Sequence, residues 1–163
     1  MIISELQEIL LEKKEHFLIE SERVASVLDK HPLSHAFLIL TKVKYSKIPV
    51  LNSQDELVGF IGLADIVNQM LAIDGVDFNL LEGKIVADVM EKEVRSVSTI
   101  DDIELLLHLA VDHSFIPVRD EQNRFLGIVT RRELLKAVNH LLHTLDDEYV
   151  LTSKEHVYKL VAE

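Results

Sequence analysis

The chain contains the same short pattern twice. Ile48-Pro49-Val50 recurs as Ile116-Pro117-Val118, 68 residues further along, and the apolar run 57–67 aligns with 125–135 at the same spacing. A unit of this length that occurs only twice is too long for a solenoid repeat, and one copy is too small to bury a sufficient core alone. The repeat therefore predicts two copies that share a core.

The alignment extends upstream with a change of spacing. Val24-Ala25-Ser26-Val27 matches Val86-Ala87-Asp88-Val89 at a spacing of 62 residues, so we expect six extra residues in the second copy before its Ile-Pro-Val. Within that extra piece, Val94-Arg95-Ser96-Val97-Ser98 alternates and predicts a short strand.

Each copy reads as helix, strand, polar turn, strand, helix. In the second copy Thr99 followed by Asp102 predicts a helix start, strands are expected at 115–118 and 125–129, and a further helix from Thr130. The first copy repeats this order over 34–70. Proline cannot donate to a strand ladder, so Ile-Pro-Val should lie at an edge or a strand start, where one side of its backbone is open to a ligand.

These patterns predict an α/β (α+β) fold of two small repeats with an extra helix at each end. We expect an N-terminal helix within 1–16 that presents Ile2, Leu6, Ile9 and Leu10, a first repeat at 17–72, a linker at 73–84, a second repeat at 85–145, and a C-terminal segment at 146–163 with a weaker helix from about Leu151 to Val161.

Composition excludes several classes of protein. With 17 Lys and Arg against 28 Asp and Glu the net charge is −11, which disfavours nucleic acid and anionic lipid, so an anionic ligand must be held locally. The absence of cysteine removes disulfides and thiolate chemistry. The first residues lack the features of a signal peptide and no apolar stretch is long enough to span a bilayer, so a cytoplasmic location is expected.

The sequence Thr130-Arg131-Arg132-Glu133 opens a predicted helix. Thr130 and Glu133 alone fit a capping box, which is a purely structural interpretation. The arginines do not fit it, because the positive end of a helix dipole disfavours cations by about 0.3–1 kcal/mol each. Free amides together with guanidinium groups form a phosphate-binding arrangement, so Arg131 and Arg132 are candidate phosphate ligands. The alternative is two solvated surface arginines.

Other chemistries are poorly supported. His140 and His143 share a helix face but have no third ligand fixed by sequence, so no metal site is predicted. No hydrolase, metalloprotease or P-loop motif is present, and the pairs Asp101-Asp102 and Asp146-Asp147 read as a helix cap and as surface charge in a late turn. We therefore expect no enzymatic activity.

The ordered set of apolar helix, Tyr-Ser-Lys-Ile-Pro-Val strand, polar turn and second strand that runs into Gly-Ile-Val-Thr resembles the tandem cystathionine-beta-synthase (CBS) domain pair, also called a Bateman module, over about residues 17–145. Glu20 to Ala25, Leu40-Thr41-Lys42, Tyr45 to Val50 and Thr130-Arg131-Arg132 are further similar to the stand-alone Gram-positive CBS-pair proteins that bind cyclic di-AMP.

The resemblance implies a nucleotide site made by the leading strand and Ile-Pro-Val region of one repeat with the Thr-x-x-acid turn of the other. Carried over to this chain, the ligand-binding residues are Arg23, Val24, Ala25, Tyr45, Ser46, Lys47, Ile48, Pro49, Thr130, Arg131, Arg132 and Glu133. Small and apolar residues would leave room for an adenine, Tyr45 would stack or hydrogen-bond, and backbone near Lys47 would read the base edge. Ala25, Ile48 and Pro49 also fit plain core packing, and Glu133 stands where the family usually has Asp.

The equivalent cleft on the other side would contain Val86, Ala87, Ser114, Phe115, Ile116 and Asp65. It has no basic cluster and a bulky Phe115, so we expect weak binding or none.

The implied function is a non-catalytic regulatory sensor of an adenine nucleotide, with cyclic di-AMP as the expected ligand. The resemblance also implies that the protein dimerises through its CBS repeats and modulates a partner protein. The resemblance names the stringent-response alarmone synthetase among such partners and implies no cofactor. The alternative is an assembly module with an empty cleft or a structural AMP or ATP.

Overall fold

In the computed structural model, residues 4–12, 14–154 and 157–162 are described, and they form a mixture of helices and strands. The helices are α1 (Ser4–Leu11), α2 (Leu33–Lys42), α3 (Leu63–Gln69), α4 (Ile103–Asp112) and α5 (Arg131–Glu148). The strands are β1 (Leu18–Glu20), β2 (Val27–Leu28), β3 (Lys47–Leu51), β4 (Leu57–Gly62), β5 (Leu71–Ala72), β6 (Gly75–Val76), β7 (Phe115–Arg119), β8 (Phe125–Thr130), β9 (Tyr149–Lys154) and β10 (Val157–Ala162). The predicted mixed fold class and the N-terminal helix are confirmed, although Ile2 lies outside the described residues.

The chain divides into two compact units, each assembled from separate segments. One unit contains the described residues up to Leu18, Ile100–Ile116 and the residues from Val129 onward. The other contains Ile19–Thr99 and Pro117–Ile128. We call them the helical unit and the central unit.

The central unit is built on a three-stranded sheet in the order β2-β3-β4, in which β2 and β3 are parallel and β3 and β4 antiparallel. Ile48, Val50 and Ile61 of this sheet are completely buried. They pack with the inward positions of α2 and α3, which recur at helical spacing: Leu33, Ala36, Leu40 and Ile66. The first copy of the repeat therefore supplies this core, as the apolar periodicity predicts.

The polar turns of the two copies have the same geometry. Asn52 Oδ1 accepts the amides of Gln54 and Glu56 at 2.9 and 3.0 Å. Asp120 Oδ1 accepts the amides of Gln122 and Arg124, the equivalent residues, at 3.0 and 2.8 Å. A short side-chain acceptor that binds amides two and four residues ahead fixes a tight turn, so both strand pairs are closed by a local signal in the sequence.

The leading segments correct the predicted alignment. Val27 of β2 pairs with Val50, and Val97 makes the corresponding parallel bridge to Val118. Val97 is therefore the structural equivalent of Val27, and the match of Val24–Val27 with Val86–Val89 was wrong. The predicted strand over 94–98 is reduced to this single bridge, because Val97 bonds with the backbone of Pro117 and Arg119 while its neighbours do not extend the ladder.

The segment Val86–Asp88 forms a 3-10 turn on the core of the central unit. The amide of Val86 donates to His31 O at 2.9 Å and that of Ala87 to Asp29 O at 2.8 Å, and the Val86 side chain is completely buried in that core. Its apolar side chains pack on the first copy although they precede the second copy in the chain.

The helical unit contains α1, α4 and α5. Asp102 caps α4 by accepting the amide of Leu105 at 2.9 Å, as the sequence predicts. Ile103, Leu106 and Ala110 on α4 and Leu134 and Leu141 on α5 are buried. α5 continues through Asp146 and Asp147, where we expected a turn.

The predicted C-terminal helix is wrong. β9 and β10 form an antiparallel hairpin with Val157 opposite Lys154 and Ala162 opposite Tyr149. The stretches Tyr149-Val150-Leu151-Thr152 and Val157-Tyr158 are rich in β-branched and aromatic residues, which favour strands, and a short helix without an extensive packing face is marginal. Residues 155–156 of the predicted helix lie outside the described residues.

Candidate nucleotide site

The start of β3 has one open side. Phe60 of β4 lies opposite Pro49 and directs its amide and carbonyl to Glu91, at 2.9 and 2.8 Å. Opposite residues of an antiparallel pair exchange both backbone hydrogen bonds or neither, so the polar groups of Pro49 also point away from β4. Those of Lys47, two residues earlier, point the same way, and the register with β2 begins only at Val50. β3 is the middle strand of its sheet, so Ile-Pro-Val lies near a strand start and not at a sheet edge, and the open side of its backbone is at Lys47.

Proline is tolerated here because of this alternation. Its missing amide lies on the side that faces away from β4, so the pairing of β3 and β4 loses no hydrogen bond. Pro49 and Ile48 are buried, and Ile48 belongs to the hydrophobic core. The core-packing interpretation of Ile48 is confirmed, so any ligand would contact the backbone of this strand more readily than these two side chains.

The residues that flank this edge are accessible. Tyr45 is 45% exposed, Ser46 is exposed, and the Ser46 carbonyl accepts the amide of Leu63 at 3.3 Å. Arg23 is exposed at the end of the 3-10 turn Ser21–Arg23, and Ala25 is half-buried beside the core. An exposed ring, a guanidinium and an open backbone edge are each able to contact a flat, hydrogen-bonding base.

Val24, another of the predicted ligand-binding residues, is buried, with 9% exposure. Its amide donates to Ser21 O at 3.1 Å, which closes the turn that carries Arg23. Val24 therefore supports the position of Arg23 through local structure.

The start of α5 carries the other predicted group, in the helical unit. Thr130 Oγ1 accepts the amide of Glu133 at 3.3 Å, so half of the predicted capping box is formed. The carboxylate of Glu133 binds Lys136 Nζ at 2.8 Å in an ion pair on the helix surface. Glu133 is therefore engaged one turn along its own helix.

The two arginines differ in their environment. Arg131 is half-buried, its amide donates to Ser114 O at 2.9 Å, and its guanidinium donates to Val111 O at 3.3 Å. The Nε of Arg131 is buried and has no hydrogen-bond partner among the described residues. Arg132 is exposed. The arrangement therefore holds one guanidinium in place and leaves a second one exposed to solvent.

A shallow depression of about 490 Å³ lies on this helix surface, lined by Arg131, Arg132, Leu135, Lys136 and Asn139. Three cations line it, which suits an anion at the helix start, while the amides of Arg131 and Glu133 are already bonded to Ser114 O and Thr130 Oγ1.

Some of the residues predicted for the opposite cleft have structural roles instead. Asp65 Oδ2 accepts the amide of Gly62 at 2.9 Å and so caps α3. Val86 is completely buried in the core of the central unit, and Ala87 is half-buried there. Assigning Val86 and Ala87 to that cleft followed from the wrong alignment, because Val94 and Arg95 are the structural equivalents of Val24 and Ala25. In the helical unit, Ser114 is exposed, Phe115 is half-buried and Ile116 is buried.

Sequence reasoning missed one residue beside the candidate site. Glu91 Oε2 lies 2.5 Å from Lys47 Nζ. No periodicity or motif connects these residues, which are separated by 44 positions, so only the tertiary structure identifies the pair.

Among the residues that the structure describes, no group of three His, Asp or Glu side chains could hold a metal ion. Nor does any described helix combine the length and apolar character that crossing a membrane requires.

Comparison with known proteins identifies the class. The CBS-domain family model matches residues 6–72 and 86–140. The chain therefore belongs to the CBS-domain family and contains two CBS repeats, as its internal repeat indicated.

Within that family, particular relatives are similar over most of their length. Cyclic di-AMP receptor B of Bacillus subtilis is 33% identical over 130 residues, which cover 80% of this chain and 88% of that protein. The crystal structure of Listeria monocytogenes CbpB in complex with c-di-AMP is 39% identical, with a TM-score of 0.74 and coverage of 81% of this chain and 98% of that one. CbpB from Streptococcus agalactiae is 32% identical, with a TM-score of 0.78 and coverage of 94% and 96%.

Proposed function

We propose that this chain is a non-catalytic receptor that binds cyclic di-AMP and changes its affinity for a partner protein when the ligand is bound. The observation that carries the proposal is the start of α5, where Thr130 caps the helix, Arg131 is held by Val111 O, and Arg132 is exposed. Two cations in the first helical turn are unfavourable without an anion, and a phosphate would reverse that cost. Receptor B and the CbpB complex support cyclic di-AMP as the anion's source.

The residues of the central unit are proposed to bind the base. Lys47 offers its backbone amide and carbonyl, which can pair with the edge of an adenine, and Tyr45 offers an exposed ring. Arg23 adds a cation beside Ala25, whose small side chain leaves space.

Thermal unfolding with added nucleotides tests the proposal. Cyclic di-AMP at about 100 times its Kd should add roughly 2.7 kcal/mol, which raises Tm by about 5–10 °C for a chain of this size. AMP, ATP and S-adenosylmethionine are the comparison ligands. Arg132→Ala should abolish the shift, and Lys30→Ala, which removes another exposed cation, should retain it. A full shift in Arg132→Ala would contradict the phosphate assignment.

A partner protein is supported by an exposed apolar segment in the central unit. Leu71, Ile73, Val76, Phe78 and Leu80 all have large exposed side chains within and just after the β5-β6 hairpin. Clusters of this kind mark protein interaction surfaces.

The stringent-response alarmone synthetase is the proposed partner, and its Kd for this chain should change when cyclic di-AMP is added. Linkage requires the Kd for cyclic di-AMP to change by the same factor when the synthetase is present.

An assembly module is the second candidate. Leu135 and Leu142 are 59% and 61% exposed on one face of α5, which favours association of two copies through this helix. Sedimentation of the chain with and without nucleotide separates the candidates. A dimer with no thermal response to any nucleotide would favour assembly alone.

A further inference from the structure

We propose that Glu91 sets the charge selectivity of the nucleotide site by holding the side chain of Lys47 in an ion pair. The inference rests on the proposed function, because it concerns how the same site discriminates between anionic nucleotides. It begins from the 2.5 Å contact between Glu91 Oε2 and Lys47 Nζ.

The position of Glu91 is fixed by its backbone. Glu91 exchanges two hydrogen bonds with Phe60, at 2.9 and 2.8 Å, which attach it to the edge of β4. This approach requires Gly59, because a Cβ at that position would lie 2.7 Å from Glu91 O and 2.9 Å from Met90 Sδ. The carboxylate of Glu91 is therefore presented to Lys47 by rigid main chain.

Lys47 is fixed from the other side. Its backbone pairs with Gly62, and a Cβ on Gly62 would lie 3.1 Å from Lys47 Cγ. The same position would be 2.9 Å from Asp65 Oδ2, which already accepts the amide of Gly62. The stem of Lys47 thus lies beside Gly62 at the β4-α3 junction, and its ammonium group is paired with the carboxylate of Glu91.

The pair is accessible to a ligand. The side chains of Lys47 and Glu91 are 44% and 47% exposed, so solvent and solutes reach both. A phosphate that approached Lys47 would have to displace Glu91 and would also experience its negative charge. A base that pairs with the Lys47 backbone would not need the ammonium group at all.

The consequence is a penalty that grows with ligand charge. Cyclic di-AMP carries two phosphodiester charges, whereas the triphosphate of ATP carries more, so Glu91 should disfavour ATP more strongly. Glu91 therefore acts as a specificity-determining residue that favours a weakly charged nucleotide read through backbone contacts.

Calorimetric titration of cyclic di-AMP and ATP into the wild-type chain and Glu91→Gln tests the proposal. Glu91→Gln should lower the Kd for cyclic di-AMP about 3-fold and that for ATP about 10-fold, and both effects should shrink at high salt. Glu93→Gln, which removes an exposed charge two residues away, is the matched control and should change either Kd less than about 2-fold. Unchanged or weaker binding by Glu91→Gln, with an unaltered Tm, would overturn the proposal.

A double-mutant cycle separates the ion pair from direct repulsion. In a Lys47→Met background, Glu91→Gln should lose most of its effect, because no ammonium group remains to be released. An equal gain in both backgrounds would show that Glu91 acts without Lys47 and would overturn the proposed role. Failure of the wild-type chain to bind cyclic di-AMP would instead refute the proposed function, and this inference with it, in the first titration.

Discussion

Asp55 and Asn123 occupy equivalent positions in the two repeats and share a left-handed backbone, with φ of 59° and 67°. The Asp55 carbonyl accepts the amide of Phe125 at 2.9 Å, and the Asn123 carbonyl accepts the amide of Leu57 at 3.2 Å. Each turn therefore binds the strand start of the other copy in the same way. These two equivalent hydrogen bonds, one in each direction, connect the two strand pairs inside the central unit.

Substitution of Asp55 and Asn123 should have unequal effects. A left-handed backbone favours glycine, so Asp55→Gly should change the free energy of unfolding by less than about 1 kcal/mol. Asn123 also accepts a hydrogen bond from Arg119 and donates to Leu57 O, so Asn123→Gly should lower it by about 1 kcal/mol more. Urea unfolding measures both, and equal values would show that the Asn123 side-chain bonds contribute nothing.

Asp120 should make the free energy of unfolding decrease at acid pH. Desolvation acts to raise the pKa of Asp120, but hydrogen bonds from the backbone and guanidinium of Arg124, the charge of Arg124 and the Gln122 amide together lower it below the ordinary 3.8. A depressed folded pKa stabilises the folded state above the unfolded pKa, and this contribution disappears as the pH falls through the folded value.

Asp120→Asn should therefore make the free energy of unfolding decrease less below about pH 4. The turn should be kept, because Asn52 makes the same turn in the first repeat. Unfolding curves from pH 7 to pH 2 measure this. Asp112→Asn, an exposed position at the end of α4, is the control. Identical acid profiles for Asp120→Asn and the wild type would contradict the prediction.

Gly59→Ala should destabilise the central unit by about 1–3 kcal/mol, because the added Cβ would lie 2.7 Å from Glu91 O, and the Glu91 backbone is held by its two hydrogen bonds with Phe60. Gly62→Ala is the comparison. Its Cβ would meet the Asp65 carboxylate at 2.9 Å, which can move, and a backbone oxygen, Ser46 O, only at 3.1 Å. Thermal unfolding should show the larger loss for Gly59→Ala, and the reverse order would refute the proposed rigidity of the Glu91 attachment.

Arg131→Ala and Arg132→Ala should separate stability from binding. Arg131→Ala should lower the free energy of unfolding by about 1 kcal/mol, because it removes the bond to Val111 O and a half-buried side chain. Arg132→Ala should change it by less than about 0.5 kcal/mol, since Arg132 is exposed. Denaturant unfolding without ligand measures both, and loss of folding in Arg132→Ala would indicate a structural role.

Much of the fold was predictable because its signals are local. Ile-Pro-Val, the polar turns at Asn52 and Asp120, the cap at Asp102 and the apolar spacing on α2, α4 and α5 each depend on residues within a few positions of one another. The final hairpin was mispredicted at Leu151–Val161, where apolar spacing suggested a weak helix and strand propensity prevailed.

The candidate site likewise has features that the sequence predicted and features that only the tertiary structure revealed. The sequence by itself determined that two copies exist, that Ile-Pro-Val would lie at an edge or a strand start, and that two arginines would open a helix. Only the tertiary structure decided that Val97 is the equivalent of Val27, that Val86 fills the core of the first copy, and that Glu91 reaches Lys47. These contacts join residues distant in sequence, and their geometry follows from strand register and close backbone approach at Gly59, which no local pattern encodes.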